Sequence, residues 1–182
     1  PAQKFFKMDD GEKIVSIMSF DPRVLDVPAP EEGATEPQPP YAIAVTRGGL
    51  SFRFSLTPHR DPSTRAGRKY CKLNEGDEVV FVSVVGPKDA VICATSDGHA
   101  LGVKVDDIAI LGGVGKGAML IKLDDDARVL GAVLALAARD TLVAETPKGK
   151  TMDISLQLVL GKRADRGSLL AKRDGFARVV LP

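Results

Sequence analysis

The sequence predicts an all-β fold of the β-propeller type, with four-stranded blades of about 50 residues, roughly three blades and the start of another. Three observations predict it. The block that opens at Gly67 (Gly-Arg-Lys-Tyr-Cys-Lys-Leu-Asn) returns at Gly117 (Gly-Ala-Met-Leu-Ile-Lys-Leu-Asp) and again at Gly167 (Gly-Ser-Leu-Leu-Ala-Lys-Arg-Asp). A second block, Thr-x-x-Gly, recurs inside each unit at Thr46–Gly49, Thr95–Gly98 and Thr146–Gly149. The composition fits many short strands: Trp is absent, aromatics are 5%, and 18 Gly with 12 Pro supply turns around a Val, Leu, Ile and Ala core. A β-sandwich would share the hairpins but gives no reason for a register held over two successive steps.

The elements follow in order. The first unit runs over residues 4–66, and Phe5–Asp9 with Gly11–Val15 repeat the opening block. Residues 22–40 interrupt it with Pro28, Pro30, Pro37, Pro39 and Pro40 among Glu31, Glu32 and Glu36, and read as a mobile acidic loop between two strands. Tyr41–Val45 and Leu50–Phe54 then form a hairpin around a Gly that takes positive φ. The second unit, 67–116, holds the Val-rich strand Glu78–Val85 and the hairpin Ala90–Ala94 and His99–Val103. The third, 117–166, repeats this with Thr141–Ala144 and Lys150–Ile154. Ala132–Ala138 is helix-like in composition, but its place in the repeat makes it strand, with a turn at Ala138–Asp140. Residues 167–182 restart the pattern as a partial repeat.

Composition bounds the function. With 182 residues, 25 Lys+Arg and 24 Asp+Glu, the chain is neither a disordered polymer nor a fibre, and it has no run of apolar residues long enough to span a membrane. It opens on Pro1 with no signal-type segment, which reads as an excised domain. Cys71 and Cys93 lie in apolar runs and read as reduced core thiols. His59 and His99 have no motif partner, Asp124-Asp125-Asp126 occupies a turn without further spaced ligands, and no nucleophile elbow or phosphate loop occurs. The expectation is a non-catalytic domain with no metal and no cofactor.

Charge is unevenly spread. Residues 57–72 hold Arg60, Arg65, Arg68, Lys69 and Lys72 against Asp61 alone, and residues 147–173 hold seven basic side chains against two acids. Residues 74–107 reverse this, with two basic side chains against seven acids. Basic residues gather in and beside the connectors that lead into each repeat, and acids in the hairpin turns, so the two signs are expected on different faces or rims. Lys and Arg so spaced suit phosphates, and connector glycines expose backbone N–H groups. The candidate nucleic-acid contacts are Arg60, Arg65, Arg68, Lys69, Lys116, Lys148, Lys150, Lys162, Arg163 and Arg166. Lys72, Lys122 and Lys172 share one repeat position and read as structural, with snorkelling tips.

The repeat, Gly-x-x-x-x-Lys-Leu, an acidic turn, a Val-Val run, Thr-x-x-Gly and a basic connector, resembles the C-terminal domain of the A subunit of bacterial type IIA topoisomerases, DNA gyrase and topoisomerase IV. Lys104–Leu123 (KVDDIAILGGVGKGAMLIKL) carries the resemblance most strongly. It implies a pinwheel propeller whose blades exchange strands and whose basic rim binds and bends or wraps duplex DNA for the cleavage core. It implies as partners the rest of the A subunit and its ATPase B subunit in an ATP-dependent topoisomerase, and a cytoplasmic, nucleoid-associated place in the cell. The gyrase signature Gln-Arg-Arg-Gly-Gly-Lys-Gly is degenerate here: Gly112, Gly113, Gly115, Lys116 and Gly117 stand in its segment, without the Gln or either Arg. Family members carry more blades than are visible here, so self-association to complete a ring is a further expectation. The alternative is a propeller that docks on a partner protein or on the enzyme's own core. A third reading has the acidic loop competing with DNA for the rim.

Overall fold

A computed structural model gives the fold, describing residue 4, residues 8–64 and residues 66–180. The chain is all-β, with eleven strands, a four-residue helical turn at Leu156–Val159 and three-residue 3-10 turns at Thr57–His59 and Val105–Asp107 among the described residues. Three antiparallel hairpins form its framework: β1 (Tyr41–Thr46) with β2 (Leu50–Ser55), β4 (Ala90–Thr95) with β5 (His99–Lys104), and β8 (Thr141–Glu145) with β9 (Thr151–Ser155). The Thr-x-x-Gly block makes each reversal by the same means. The Gly N–H donates to the Thr carbonyl at 3.0, 3.1 and 2.9 Å in the three turns. The Thr hydroxyl accepts the N–H four residues on, at 3.2, 3.1 and 3.2 Å.

The sheets cut across the sequence repeat. β3 (Val79–Val85) belongs to the second unit but pairs with β1 of the first, Tyr41 opposite Val85. β7 (Val129–Ala135) pairs with β4 in the same way, Ala90 opposite Ala135, and β11 (Arg178–Val180) pairs with β8. On the other side of the hairpins, β6 (Ala118–Met119) adds to β2 and β10 (Ser168–Leu169) adds to β5. The sheet orders are β3-β1-β2-β6, β10-β5-β4-β7 and β11-β8-β9. Each four-stranded sheet thus takes a hairpin from one repeat, a long strand from the next and a short strand from the one after.

The recurrent glycine that opens each block has a reason at the short strands. Gly117 has φ +80°, and a Cβ there would stand 2.6 Å from the Ser51 carbonyl; at Gly167, φ is +79° and the Ala100 carbonyl would be 2.4 Å away. Only a residue without a side chain lets the short strand approach the hairpin this closely.

Alternation along the strands sends side chains to three cores, one of them built from Ala42 and Ala44 on the other face of β1 with Phe52 and Phe54. Ile43 and Val45 of β1, with Val91 and Cys93 of β4, fill the layer between the first two sheets together with Leu120, Ile121 and Val129. Ile92 and Ala94, on the other face of β4, meet Leu142, Ala144, Ile154 and Phe176 of the third. Strands packed on both faces read as continuous apolar runs, which is why Ala90–Ala94 shows no polar alternation.

Residues 8–40 contain no strand. Gly11–Phe20 repeats the Val79–Val85 strand in sequence, but strands of that type pair with the hairpin of the preceding repeat, and no such hairpin precedes it among the described residues. Ile14, Val15 and Ile17 are consequently exposed, Ile17 at 85%. Phe5–Lys7 lie outside the described residues. Residues 22–40 form no strand, as their prolines require, yet the segment is not free along its length. Val27 is 5% exposed in a core with Phe52, Phe54 and Leu56, and Leu56 N–H donates to the Pro40 carbonyl at 2.9 Å. The β7 strand ends at Ala135, before the expected turn, because the Asp140 carboxylate captures the N–H groups of Leu136 and Ala137 at 2.7 and 2.9 Å.

Candidate nucleic-acid interface

The connectors between repeats lie side by side. Cys71 and Gly115 form a parallel β-bridge, and Lys72 N–H donates to the Gly115 carbonyl at 2.8 Å. This fixes the connector of the second unit, with Arg68, Lys69 and Lys72, against the glycine-rich segment that ends in Lys116. One repeat further, Lys122 N–H donates to the Asp165 carbonyl at 2.9 Å and Ala164 N–H to the Leu120 carbonyl at 2.8 Å. The stretch with Lys162, Arg163 and Arg166 thereby sits beside Lys122.

The sequence candidates divide by what their charged tips do. Arg60, Arg68, Lys69, Lys116, Lys150 and Lys162 are exposed, and none makes an ion pair among the described residues. Arg163 donates to the Met119 carbonyl at 2.9 Å and so holds the short strand β6. Arg166 is paired with Asp124, and Lys148 with Asp174 at 2.9 Å. Both pairs are solvent-exposed and worth at most about 1 kcal/mol, so a phosphate can compete for either cation. Arg65 lies outside the described residues.

The Arg166–Asp124 pair also corrects an expectation. Charge distribution along the sequence predicts basic connectors and acidic turns on different faces or rims, but Arg166 of the third connector reaches Asp124 in the acidic turn of its own repeat. That turn and Asp97 line one shallow depression with Ser96. Among the described residues, no group of three or more His, Cys, Asp and Glu side chains is arranged to hold a metal, and no helix is long and apolar enough to cross a membrane.

The glycine-rich segment splits into two kinds of residue. Gly117 is needed by the fold, through its positive φ and the close approach to Ser51, while Gly115 makes the backbone bridge to Cys71 and a Cβ there would crowd the Leu111 side chain at 3.3 Å. Gly112 and Gly113 are exposed, with nothing within 4 Å of where a Cβ would stand. Their backbone is open to an approaching ligand. Lys72 and Lys122, read from the repeat as structural with snorkelling tips, stand beside the connectors. Both are exposed, and their backbone bonds set them against the next connector. Their shared place in the repeat is the available signal, and it marks a position beside the connectors as well as a structural one.

Beside these cations the chain places an aromatic cluster. Tyr70 stacks on Phe54 (centroids 4.7 Å apart, planes at 22°), and His59 stands edge-on to Phe54 at 5.8 Å. Burial and then the nearby Arg68 hold the His59 imidazole below its ordinary pKa, while burial pushes the Tyr70 phenol up to about 12. Burial raises the Cys71 thiol and takes the fully buried Cys93 thiol up to about 12, so both are poor nucleophiles at neutral pH.

Comparison with known proteins is consistent across three levels. The family model described as "DNA gyrase C-terminal domain, beta-propeller" matches residues 40–86 and 89–135. The A subunit of DNA gyrase from Aminobacterium colombiense is 28% identical over 148 residues, 81% of this chain and 16% of that protein. The gyrase A subunit from Mycolicibacterium smegmatis is 32% identical over 110 residues, 59% of this chain and 13% of the relative. The chain therefore spans about a sixth or less of the length of these curated relatives. Among solved structures, the C-terminal domain of DNA topoisomerase IV superposes with a TM-score of 0.79 at 18% identity, covering all of this chain and 54% of that one. A DNA gyrase A C-terminal domain gives 0.70 at 19% identity, again over the whole chain and over 57% of the other.

Proposed function

From the premise that this chain belongs to the DNA gyrase C-terminal domain, beta-propeller family, we propose that it is a non-catalytic DNA-binding domain of a type IIA topoisomerase A subunit. It holds duplex DNA along the rim formed by its connectors and presents it to the cleavage core of the enzyme, which works with the ATPase B subunit on the bacterial nucleoid. The observation that supports this best is the backbone pairing of neighbouring connectors. It sets Arg68, Lys69 and Lys72 next to Lys116 and the open backbone of Gly112 and Gly113. Phosphates need closely spaced cations and exposed N–H donors, and no base-reading element is required. Binding is therefore tolerant of sequence and steeply dependent on salt. The missing Gln and Arg residues of the gyrase signature favour bending over tight wrapping.

Fluorescence anisotropy with a duplex over a salt series tests this. Arg68→Glu, Lys69→Glu, Lys116→Glu and Lys162→Glu together abolish binding at low salt; retained affinity in that variant refutes the proposal.

A second surface favours a protein partner as well. Ile14, Val15 and Ile17 are exposed beside Leu73, Val80 and Leu130 on a segment with the sequence of a pairing strand. Such an edge suits a hairpin from the rest of the enzyme or from a second copy.

A further inference from the structure

A cavity of about 320 Å³ opens between four segments: the acidic loop, the turn after β2, the connector at Arg68–Tyr70 and the glycine-rich stretch at Gly112–Gly113. Its size suits a small ligand. Four features of its wall go together. The Tyr70–Phe54 stack offers an aromatic surface, with the His59 ring edge-on beside it. Thr57 is only 5% exposed; its hydroxyl oxygen is covered and has no hydrogen-bond partner among the described residues, so a rotation of the side chain toward the cavity, where a ligand can bond to it, relieves an unpaired polar group. Arg68 and Lys69 contribute two cations without ion-pair partners among the described residues. Glu31 and Glu36 stand on the loop wall, likewise without ion-pair partners there.

We propose that this cavity is a nucleotide site, in which a heteroaromatic base lies against the Tyr70–Phe54 surface, hydrogen-bonds to Thr57 and His59, and directs its phosphate to Arg68 and Lys69. The combination of an aromatic face, neutral hydrogen-bonding groups and cations is what a nucleotide requires and what a bare phosphate does not use. His59 is held neutral by burial and by Arg68, so it keeps one nitrogen that accepts and one that donates. The loop carboxylates repel the phosphate and accept N–H bonds from an exocyclic amine, so they orient the ligand and favour adenine, cytosine or guanine over thymine. The nucleotide can be free or an unpaired residue of a strand. The site goes beyond the rim proposed for duplex DNA, although Arg68 and Lys69 serve both.

Titration of the isotope-labelled 182-residue chain with dAMP, deoxyadenosine and inorganic phosphate, followed by amide chemical shifts, tests the site. dAMP is expected to move the Thr57, Gly112 and Gly113 amides and to bind more tightly than either of its halves. Thr57→Val weakens dAMP about tenfold, the value of one lost hydrogen bond, with no loss of thermal stability because no internal bond is broken. Should that variant fold poorly, His59→Phe, which keeps a ring and removes both hydrogen-bonding nitrogens, provides the same reading. Glu31→Gln with Glu36→Gln reduces the preference for dAMP over dTMP. A single-stranded oligonucleotide whose binding depends on Thr57 identifies a strand as the source; binding of dAMP without it identifies a free nucleotide; either supports the site. Phosphate that moves the same amides as strongly as dAMP overturns it, as does undiminished dAMP affinity in both Thr57→Val and His59→Phe. Duplex affinity on the same samples separates the two sites, since the Thr57 variant leaves it unchanged.

Discussion

The backbone N–H of Lys72 donates to the carbonyl of Gly115 at 2.8 Å, and fifty residues on Lys122 makes the same bond to Asp165 at 2.9 Å. Two sequence blocks that each look like a loop start are in fact sutured to one another. The bonds decide which cations are neighbours.

If duplex DNA lies along the connector rim as proposed, replacing Lys72, Lys116 or Lys162 singly by Gln lowers the slope of log affinity against log salt by about 1 each, one phosphate contact being lost each time. Arg163→Gln leaves that slope unchanged but lowers the melting temperature, because its guanidinium holds the Met119 carbonyl. Anisotropy across a salt series and a thermal melt separate the two classes.

Gly117→Ala and Gly167→Ala destabilise the chain by about 1–3 kcal/mol or more, since both need positive φ and both bring a Cβ against a carbonyl. Gly112→Ala, where a Cβ meets nothing within 4 Å, changes stability little. Urea unfolding of the three variants checks the contrast.

Acid weakens the fold in two steps. His59 has a lowered pKa in the folded chain, from burial and then Arg68. The unfolded chain therefore takes the proton first, and stability declines as pH falls from about 6.5 through the folded value. Asp97 follows: burial raises its pKa, but hydrogen bonding from Thr95 and the neighbouring His99 outweigh it, and the net shift is downward. Its contribution is present above about pH 3.9 and is lost as pH falls through the folded value. Stability measured against pH shows the upper step vanish in His59→Gln and the lower step vanish in Asp97→Asn.

Alkylation of the native protein at neutral pH labels Cys71 slowly and leaves Cys93 untouched until denaturant is added. Burial raises both thiols, but Cys93 is completely covered between the first two sheets. Mass spectrometry of labelled peptides reads the order directly; early labelling of Cys93 contradicts the packing.

Much of this architecture is legible in the sequence. Thr46, Thr95 and Thr146 mark the hairpins because their hydroxyls and the following glycines act within five residues of chain, a range over which local pattern is decisive. Pairing partners are not legible in this way. Leu50 meets Met119 and Tyr41 meets Val85, and nothing in the alternation of either strand specifies which of several similar strands it joins. The same limit applies to charge. The basic connectors stand out in the sequence, whereas the capture of Arg166 by Asp124 and of Arg163 by Met119 depends on contacts across more than forty residues. Val27 is hidden for a different reason: one apolar residue among prolines and acids carries no periodicity, yet it is anchored in the core.

Because each four-stranded sheet borrows from the two repeats that follow, the order of synthesis matters. The hairpin of β1 and β2 leaves the ribosome with both edges bare. Its long neighbour β3 arrives only with Val85, and its short neighbour β6 only with Met119. At about 5–20 residues per second, the first sheet waits several seconds for its last strand. During that interval a hairpin from an adjacent nascent chain offers the same edges, so slower elongation through this region or crowded polysomes favours strand exchange between molecules over exchange within one.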